Sequence, residues 1–280
     1  MGGAVINADS AQLYRDLPIL SAAPSHDEMI GADHRLYGIR DGGDPCSAAE
    51  WAALAKAEIA KVHAEQRLPI LVGGTGLYVR TLLEGIAPVP AIDPAIRSKV
   101  RGNAVAENLT ELETLDPGAA ATLNPGDTTR IARALEVVKS TGRTLAEWQQ
   151  RREGGIIDDI ELNPLILLPP RPWLYERCER RFAEMVEQGA VTEVEALLAR
   201  NLDTQLPVMR AIGVLELGAL LRGELTRDQA IAAGQQATRR YAKRQYTWFA
   251  HQPPPDWPRF TEPLEDGALE RALALLVAAE

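Results

Sequence analysis

Apolar positions follow two rhythms along this chain. Ala4 to Ile6 and Leu68 to Val72 are short continuous apolar runs, the pattern of buried parallel strands. Between them Ser47-Ala-Ala-Glu50 has the form of a capping box and opens an Ala-rich helical pattern that reaches about Gln66. Strand, helix and strand in that order predict a right-handed crossover in a parallel α/β sheet. The stretch GIAPVPAIDPAI, Gly85 to Ile96, carries Pro88, Pro90 and Pro94 and breaks the pattern, which places a domain boundary there.

From about Asp93 to Asn163 the periodicity is helical in short pieces. Asp127 is positioned to N-cap a helix whose Ile131, Leu135 and Val138 share one apolar face, Gly142 to end it, and Thr144-Leu-Ala-Glu147 to cap the next. Gly154 and Gly155 close this insert, and Leu165 to Leu168 reads as a strand rejoining the first sheet. Helical patterns then run over Arg171 to Gln188, Val191 to Arg200, Met209 to Leu221 and Thr226 to about Ala250. The organisation expected is a core α/β domain in two parts, residues 1–92 and 164–280, around an all-helical insertion at 93–163.

With 280 residues a core of ordinary size is available. Cys46 and Cys178 make no disulfide framework and have no metal-ligand spacing; His26, His34, His63 and His251 are scattered. No apolar run approaches a membrane span and the first residues as written lack the basic n-region and longer apolar h-region of a signal peptide, so a soluble, cytoplasmic protein is expected. The net charge of −9 argues against a nucleic-acid partner, but its distribution argues the other way. Residues 229 to 255 contain no acid, and Arg239, Arg240, Lys243 and Arg244 crowd into six positions. Residues 128 to 152 carry six bases against two acids. Two basic islands lie in an acidic chain; solvated helix faces are the plainer explanation of each.

Three places carry candidate chemistry. Gly73-Gly74-Thr75-Gly76 links a strand directly to a helix, an arrangement that brings backbone N–H groups to an anion, or a tight turn that needs positive φ. Its spacing is neither of the standard nucleotide-binding glycine patterns. Asp9 lies at the carboxyl end of the first strand, where ligands bind in open α/β sheets; it suits a general base, a magnesium ligand or an Asx turn. Arg240, Lys243, Arg244 and Thr247 form one stripe on the last long helix, suited to a diphosphate or an RNA backbone, with Tyr241, Trp248 and Phe249 packing elsewhere around it.

Taken in order, INADSAQLYR, HRLYGIRD, SAAEW, LVGGTGLYVRTLLEG, DTTRIARALEV, LPVMRAIG and ATRRYAKRQYTWF resemble the tRNA dimethylallyltransferases, also called tRNA isopentenyltransferases. The resemblance implies a P-loop-NTPase-like core with a helical insertion that grips the anticodon stem-loop of tRNA. It implies transfer of a dimethylallyl group from dimethylallyl diphosphate to N6 of the adenosine 3′ of the anticodon, with Mg2+ as cofactor, by a monomer. Asp9 matches the general base, and Thr75 and Arg210 match the groups that hold the departing diphosphate. Gly73, Gly74, Lys243 and Arg244 complete the diphosphate set. Ser10, Ala11 and Gln12 match tRNA-contacting positions beside Asp9 and Thr75. So do Arg97, Thr129, Arg130, Ile131, Ala132 and Arg133 in and beside the insertion, and Ala233, Gly234, Gln235, Gln236, Ala237, Thr238 and Arg240 on the last long helix.

Relatives carry, before the equivalent of Gly2-Gly3-Ala4, a strand and a phosphate loop ending in Gly-Lys-Ser or Gly-Lys-Thr. The reading expects that segment, and with it the Mg2+ ligand, upstream of Met1, and a core truncated at its N-terminus as written. The metal site assigned to side chains of this chain is none. Two alternatives remain at this point: a catalytically inactive tRNA-binding remnant, and a P-loop kinase-like phosphotransferase.

Overall fold

A computed structural model of the protein describes residues 2–265 and 267–277. It divides into two compact units, Met1–Leu82 with Ile160–Glu280, and Leu83–Asp159.

The first unit is organised around β1 (Gly3–Asn7), whose small and branched residues suit a strand with neighbours on both sides. It pairs in parallel with β2 (Asp33–Arg35) and β3 (Leu68–Val72), giving the order β2-β1-β3. Between β2 and β3 runs α1 (Ala48–Ala64), opened by the capping box of Ser47 and Glu50. Its Trp51, Ala55 and Val62 are fully buried. β2 lacks an apolar pattern: Asp33 and Arg35 pair with each other, and Arg67 and Glu65 join them in an ion-pair network, so side-chain charge gave no strand signal.

β3 is a strand as expected, but not a buried one. Leu68 is 64% exposed, Ile70 41% and Val72 50%. It pairs with β1 alone, and its alternate side chains point to a face that no described element covers.

After α2 (Gly76–Glu84) the chain enters the second unit, a bundle of α3 (Pro94–Gly102), α4 (Val105–Leu115), α5 (Pro117–Thr122), α6 (Thr128–Thr141) and α7 (Leu145–Gln149). Its starts are written locally. Asp93 accepts from Ala95 N–H, Asp116 from Ala119 and Asp127 from Arg130, and Thr144 with Glu147 forms a capping box. Ile131, Leu135 and Val138 do face one core, with Val100 and Leu112 opposite, and Gly142 ends α6 in the left-handed conformation.

The chain returns to the first unit through β4 (Ile166–Leu167), followed by α8 (Arg171–Glu187), α9 (Ala190–Ala199), α10 (Val214–Leu221), α11 (Arg227–His251), β5 (Arg259–Phe260) and α12 (Ala268–Val277). β4 does not join the first sheet: it pairs in parallel with β5, under which Phe260, Ala268 and Ala272 form a small core. The helix expected from Met209 begins only at Val214, because Val208–Arg210 is a tight 3-10 turn and Gly213, at φ 97, is left-handed. α8 and α11 cross at Gly234, where a β-carbon would lie 2.0 Å from the Phe182 ring. Only glycine lets the two helices approach so closely.

Candidate active site

The carboxyl ends of β1 and β3 meet in the first unit and assemble the strongest candidate site. Asn7, fully buried at the end of β1, receives the Asp9 N–H on its Oδ1 at 2.7 Å. Its Nδ2 donates to the Asp9 carbonyl at 3.0 Å and to the Leu36 carbonyl at 3.1 Å. The Trp51 indole N–H in turn donates to the Asn7 carbonyl at 3.0 Å. The backbone that carries Asp9 is therefore held on both sides before any ligand arrives.

Asp9 makes an Asx turn, one of the three roles its position suited, Ala11 N–H donating to Oδ1 at 2.8 Å. Burial pushes the carboxyl pKa above its ordinary value, against the Ala11 and Gln12 N–H groups and the Arg181 charge, which all favour the ionised form. A carboxylate raised by desolvation is a stronger base than an exposed aspartate, as proton abstraction requires.

Thr75 is brought to the same place from β3. Its Oγ1 accepts from Ser10 N–H at 3.0 Å and lies 3.3 Å from Ser10 Oγ, and its own N–H donates to the Ala8 carbonyl at 3.1 Å. Asp9, Ser10 and Thr75 thus form one cluster. The glycines around Thr75 are not there for positive φ, since Gly73, Gly74 and Gly76 are all absent from the left-handed region. They are there for close approach. A β-carbon on Gly73 would lie 2.2 Å from the Ala8 carbonyl carbon, one on Gly74 2.3 Å from Gln245 Nε2, and one on Gly76 2.4 Å from the Trp248 ring.

α11 closes the cluster with Tyr241, expected to pack elsewhere around the helix, and with Gln245, to which the sequence pattern assigned no role. Gln245 Nε2 donates to the Gly74 carbonyl at 2.9 Å. Burial pushes the Tyr241 phenol pKa up and the Asp9 charge adds to that, while hydrogen bonds with the Thr75 and Gln245 side chains oppose it. Tyr241 and Gln245 are four residues apart and share a helix face, a spacing visible in the sequence. Asn7, a polar residue ending an apolar strand beside Asp9, was the other legible sign.

The remaining expected residues fall into two groups. Arg240, Lys243 and Arg244 are exposed, and among the described residues none of them forms an ion pair; the Arg244 guanidinium lies 5.4 Å from the centre of the Tyr241 ring. In the second unit Arg97, Thr129 and Arg130 are exposed and Arg133 is half-buried. Other assigned positions are committed to the fold. Ile131 is fully buried in the core of the insertion and Ala132 packs against it, so Ile131 has no surface to offer RNA. Gly234 is buried against Phe182, Gln235 donates to the Glu179 carbonyl, Thr238 to the Gly234 carbonyl, and Gln12 to the carbonyls of Ser21 and Ala22. Ala233 and Ala237 are half-buried on α11, whereas Gln236 is exposed. Arg210 ends the turn at 208–210 and is exposed; among the described residues it makes no hydrogen bond to Asp9 or Thr75.

No three His, Cys, Asp or Glu side chains converge on a possible metal position among the described residues. Also among those residues, no helix is long and apolar enough to cross a membrane.

Comparison with known proteins gives the site its context. The family described as IPP transferase matches residues 12–252. The chain is 64% identical over 255 residues to a tRNA dimethylallyltransferase of Erythrobacter litoralis, covering 91% of this chain and 80% of that protein. It is 62% identical to one of Novosphingobium aromaticivorans, with 91% of each covered. Among solved structures it is similar to the tRNA isopentenylpyrophosphate transferase of Bacillus halodurans, with TM-score 0.68, 31% identity, and 99% of this chain and 89% of that one covered. It is also similar to a eukaryotic dimethylallyltransferase acting on tRNA, with TM-score 0.72, 25% identity, and 88% and 63% covered.

Proposed function

This chain belongs to the IPP transferase family, and from that premise we propose that it transfers a dimethylallyl group from dimethylallyl diphosphate to N6 of the adenosine 3′ of the anticodon in tRNA. In that reaction an N6–carbon bond forms, the bond from carbon to the bridging diphosphate oxygen breaks, and diphosphate leaves with the electron pair. The proton lost from N6 goes to Asp9. An exocyclic adenine amine is a weak nucleophile, so a base aimed at its proton lowers the barrier. Burial suits Asp9 to that task by raising its proton affinity.

The observation that carries the reading is the joining of Asp9 to Thr75 through Ser10, whose N–H donates to the Thr75 hydroxyl oxygen at 3.0 Å. One loop holds the base and the other a hydroxyl for the leaving group, the two partners such a displacement needs. Arg210, Lys243 and Arg244 are the exposed guanidinium and ammonium groups assigned to the diphosphate. The exposed stripe on α11 and the basic surface of the insertion are assigned to RNA phosphates, which favour fixed cations. A splayed base in the loop supplies the reacting adenine. Diphosphate chemistry of this kind is assisted by Mg2+.

We extend the reading to a monomeric protein of the cytosol, where free cysteines such as Cys46 and Cys178 are the rule. Neither the inactive remnant nor the kinase-like phosphotransferase is favoured by the family. The test is incubation of the protein with an anticodon stem-loop RNA and dimethylallyl diphosphate labelled in the alkyl group, with labelled ATP in parallel. Label is expected on N6 of the adenosine. Phosphate transfer from ATP without alkyl transfer would overturn the proposal.

A further inference from the structure

Inside the insertion one carboxylate faces three arginines. Glu136, on α6, has a side chain only 1% exposed. Its Oε1 accepts from Arg101 Nε at 2.8 Å. Its Oε2 accepts no hydrogen bond, although Arg97 Nε lies 3.9 Å away and Arg133 Nη1 4.0 Å. One negative charge against three positive ones leaves a surplus of two, carried on side chains that are 48%, 61% and 40% exposed for Arg97, Arg101 and Arg133.

Stability does not account for this arrangement. A buried ion pair is often no better for stability than an apolar replacement, because desolvation offsets the attraction. Here the carboxylate also keeps an unfilled oxygen, and burial together with the other two guanidiniums disfavours the charge on Arg133, which Glu136 opposes. What the arrangement does provide is orientation. Arg97 and Arg101 turn their Nε toward the carboxylate, and among the described residues neither spends an Nη group on a hydrogen bond. Those forks are the donors that match phosphate oxygens.

We propose that Glu136 is a positioning residue that gathers Arg97, Arg101 and Arg133 into one cradle for RNA backbone phosphates, and that Arg101 belongs to the RNA-contacting surface. The proposal rests on the reading of this protein as one that binds tRNA. Charge and orientation predict opposite signs for Glu136→Gln. Counting charge alone, the variant gains one positive unit and should bind RNA more tightly. If Glu136 positions the arginines, it binds more weakly.

The experiment measures binding of the full chain to an anticodon stem-loop RNA hairpin across a series of KCl concentrations, for the wild type, Glu136→Gln, Arg101→Ala and the double variant. Arg101→Ala should weaken binding several-fold and reduce the slope of log affinity against log salt by about 1. Glu136→Gln should also weaken binding several-fold, and Arg101→Ala should then cost less than about twofold more, since coupled residues are not additive. Unchanged or tighter binding by Glu136→Gln, with the full Arg101→Ala loss retained, would overturn the proposal while leaving tRNA binding intact. A wild-type protein that ignores the hairpin would remove both. Should Glu136→Gln not fold, the side-chain N–H signals of the three arginines in the wild type decide by nuclear magnetic resonance. All three should shift on adding the hairpin, and a bound hairpin that moves none of them overturns the cradle.

Discussion

The carboxamide of Asn7 closes on both backbone polar groups of Asp9, accepting from its N–H at 2.7 Å and donating to its carbonyl at 3.0 Å. The same Nδ2 reaches the Leu36 carbonyl. Asn7→Ala leaves these groups unsatisfied in a buried place, at a cost of about 1–3 kcal/mol. Turnover should fall more than RNA affinity, because the loss is in the placement of the base. Urea unfolding, kcat and hairpin Kd measured side by side check this.

Asp9→Asn keeps the shape and the acceptor for Ala11 N–H but removes the charge. Turnover should drop by about 10² or more, the usual scale for a general base, with hairpin affinity within a few fold. Loss of both in equal measure would make Asp9 a structural residue.

The same variant has a stability signature. The folded-state pKa of Asp9 is raised by burial, so its ionised form is penalised in the folded protein. That penalty sets in as pH rises through the unfolded-state value and is complete above the folded-state one. Asp9→Asn should therefore melt higher than the wild type at neutral pH and lose that advantage at a pH below both values. In the active wild type the rate should fall as pH drops through the raised pKa.

Gly73 and Gly74 are adjacent yet differ in what surrounds them. A methyl at Gly73 meets the Ala8 backbone, which cannot yield without parting β1 from β3; one at Gly74 meets the end of the flexible Gln245 side chain. Gly73→Ala should destabilise by about 1–3 kcal/mol, the range for overpacking, and Gly74→Ala by less. Thermal melting separates them.

Gly234→Ala drives a methyl into the Phe182 ring at the α8–α11 crossing. A loss of about 1–3 kcal/mol is expected, with partial recovery in the double variant with Phe182→Leu, since that ring is the obstacle. An unchanged melting temperature for the single variant would contradict the crossing as described.

Arg130 is 76% exposed and lies 3.5 Å from Asp127 one helical turn away, a pair too open to matter for stability. Arg130→Ala should leave melting unchanged and reduce the salt slope of hairpin binding by about 1.

Much of this molecule was legible from the chain alone because the deciding contacts lie within one or two helical turns. Ser47 with Glu50, Asp127, Thr144 with Glu147 and Thr226 with Gln229 each cap a helix through groups three residues apart. The apolar face of α6 is equally local, and the ordered motifs around Asp9, Thr75 and Arg240 carried the family. Tertiary structure decided the rest. It paired β4 with β5 and left one face of β3 uncovered. It turned the glycines of the Thr75 loop into contacts with Ala8, Gln245 and Trp248. These outcomes depend on which distant segments meet: Ser10 and Thr75 are 65 positions apart, Gly74 and Gln245 171. Local periodicity reports which side of an element is apolar, and only packing reports what that side touches.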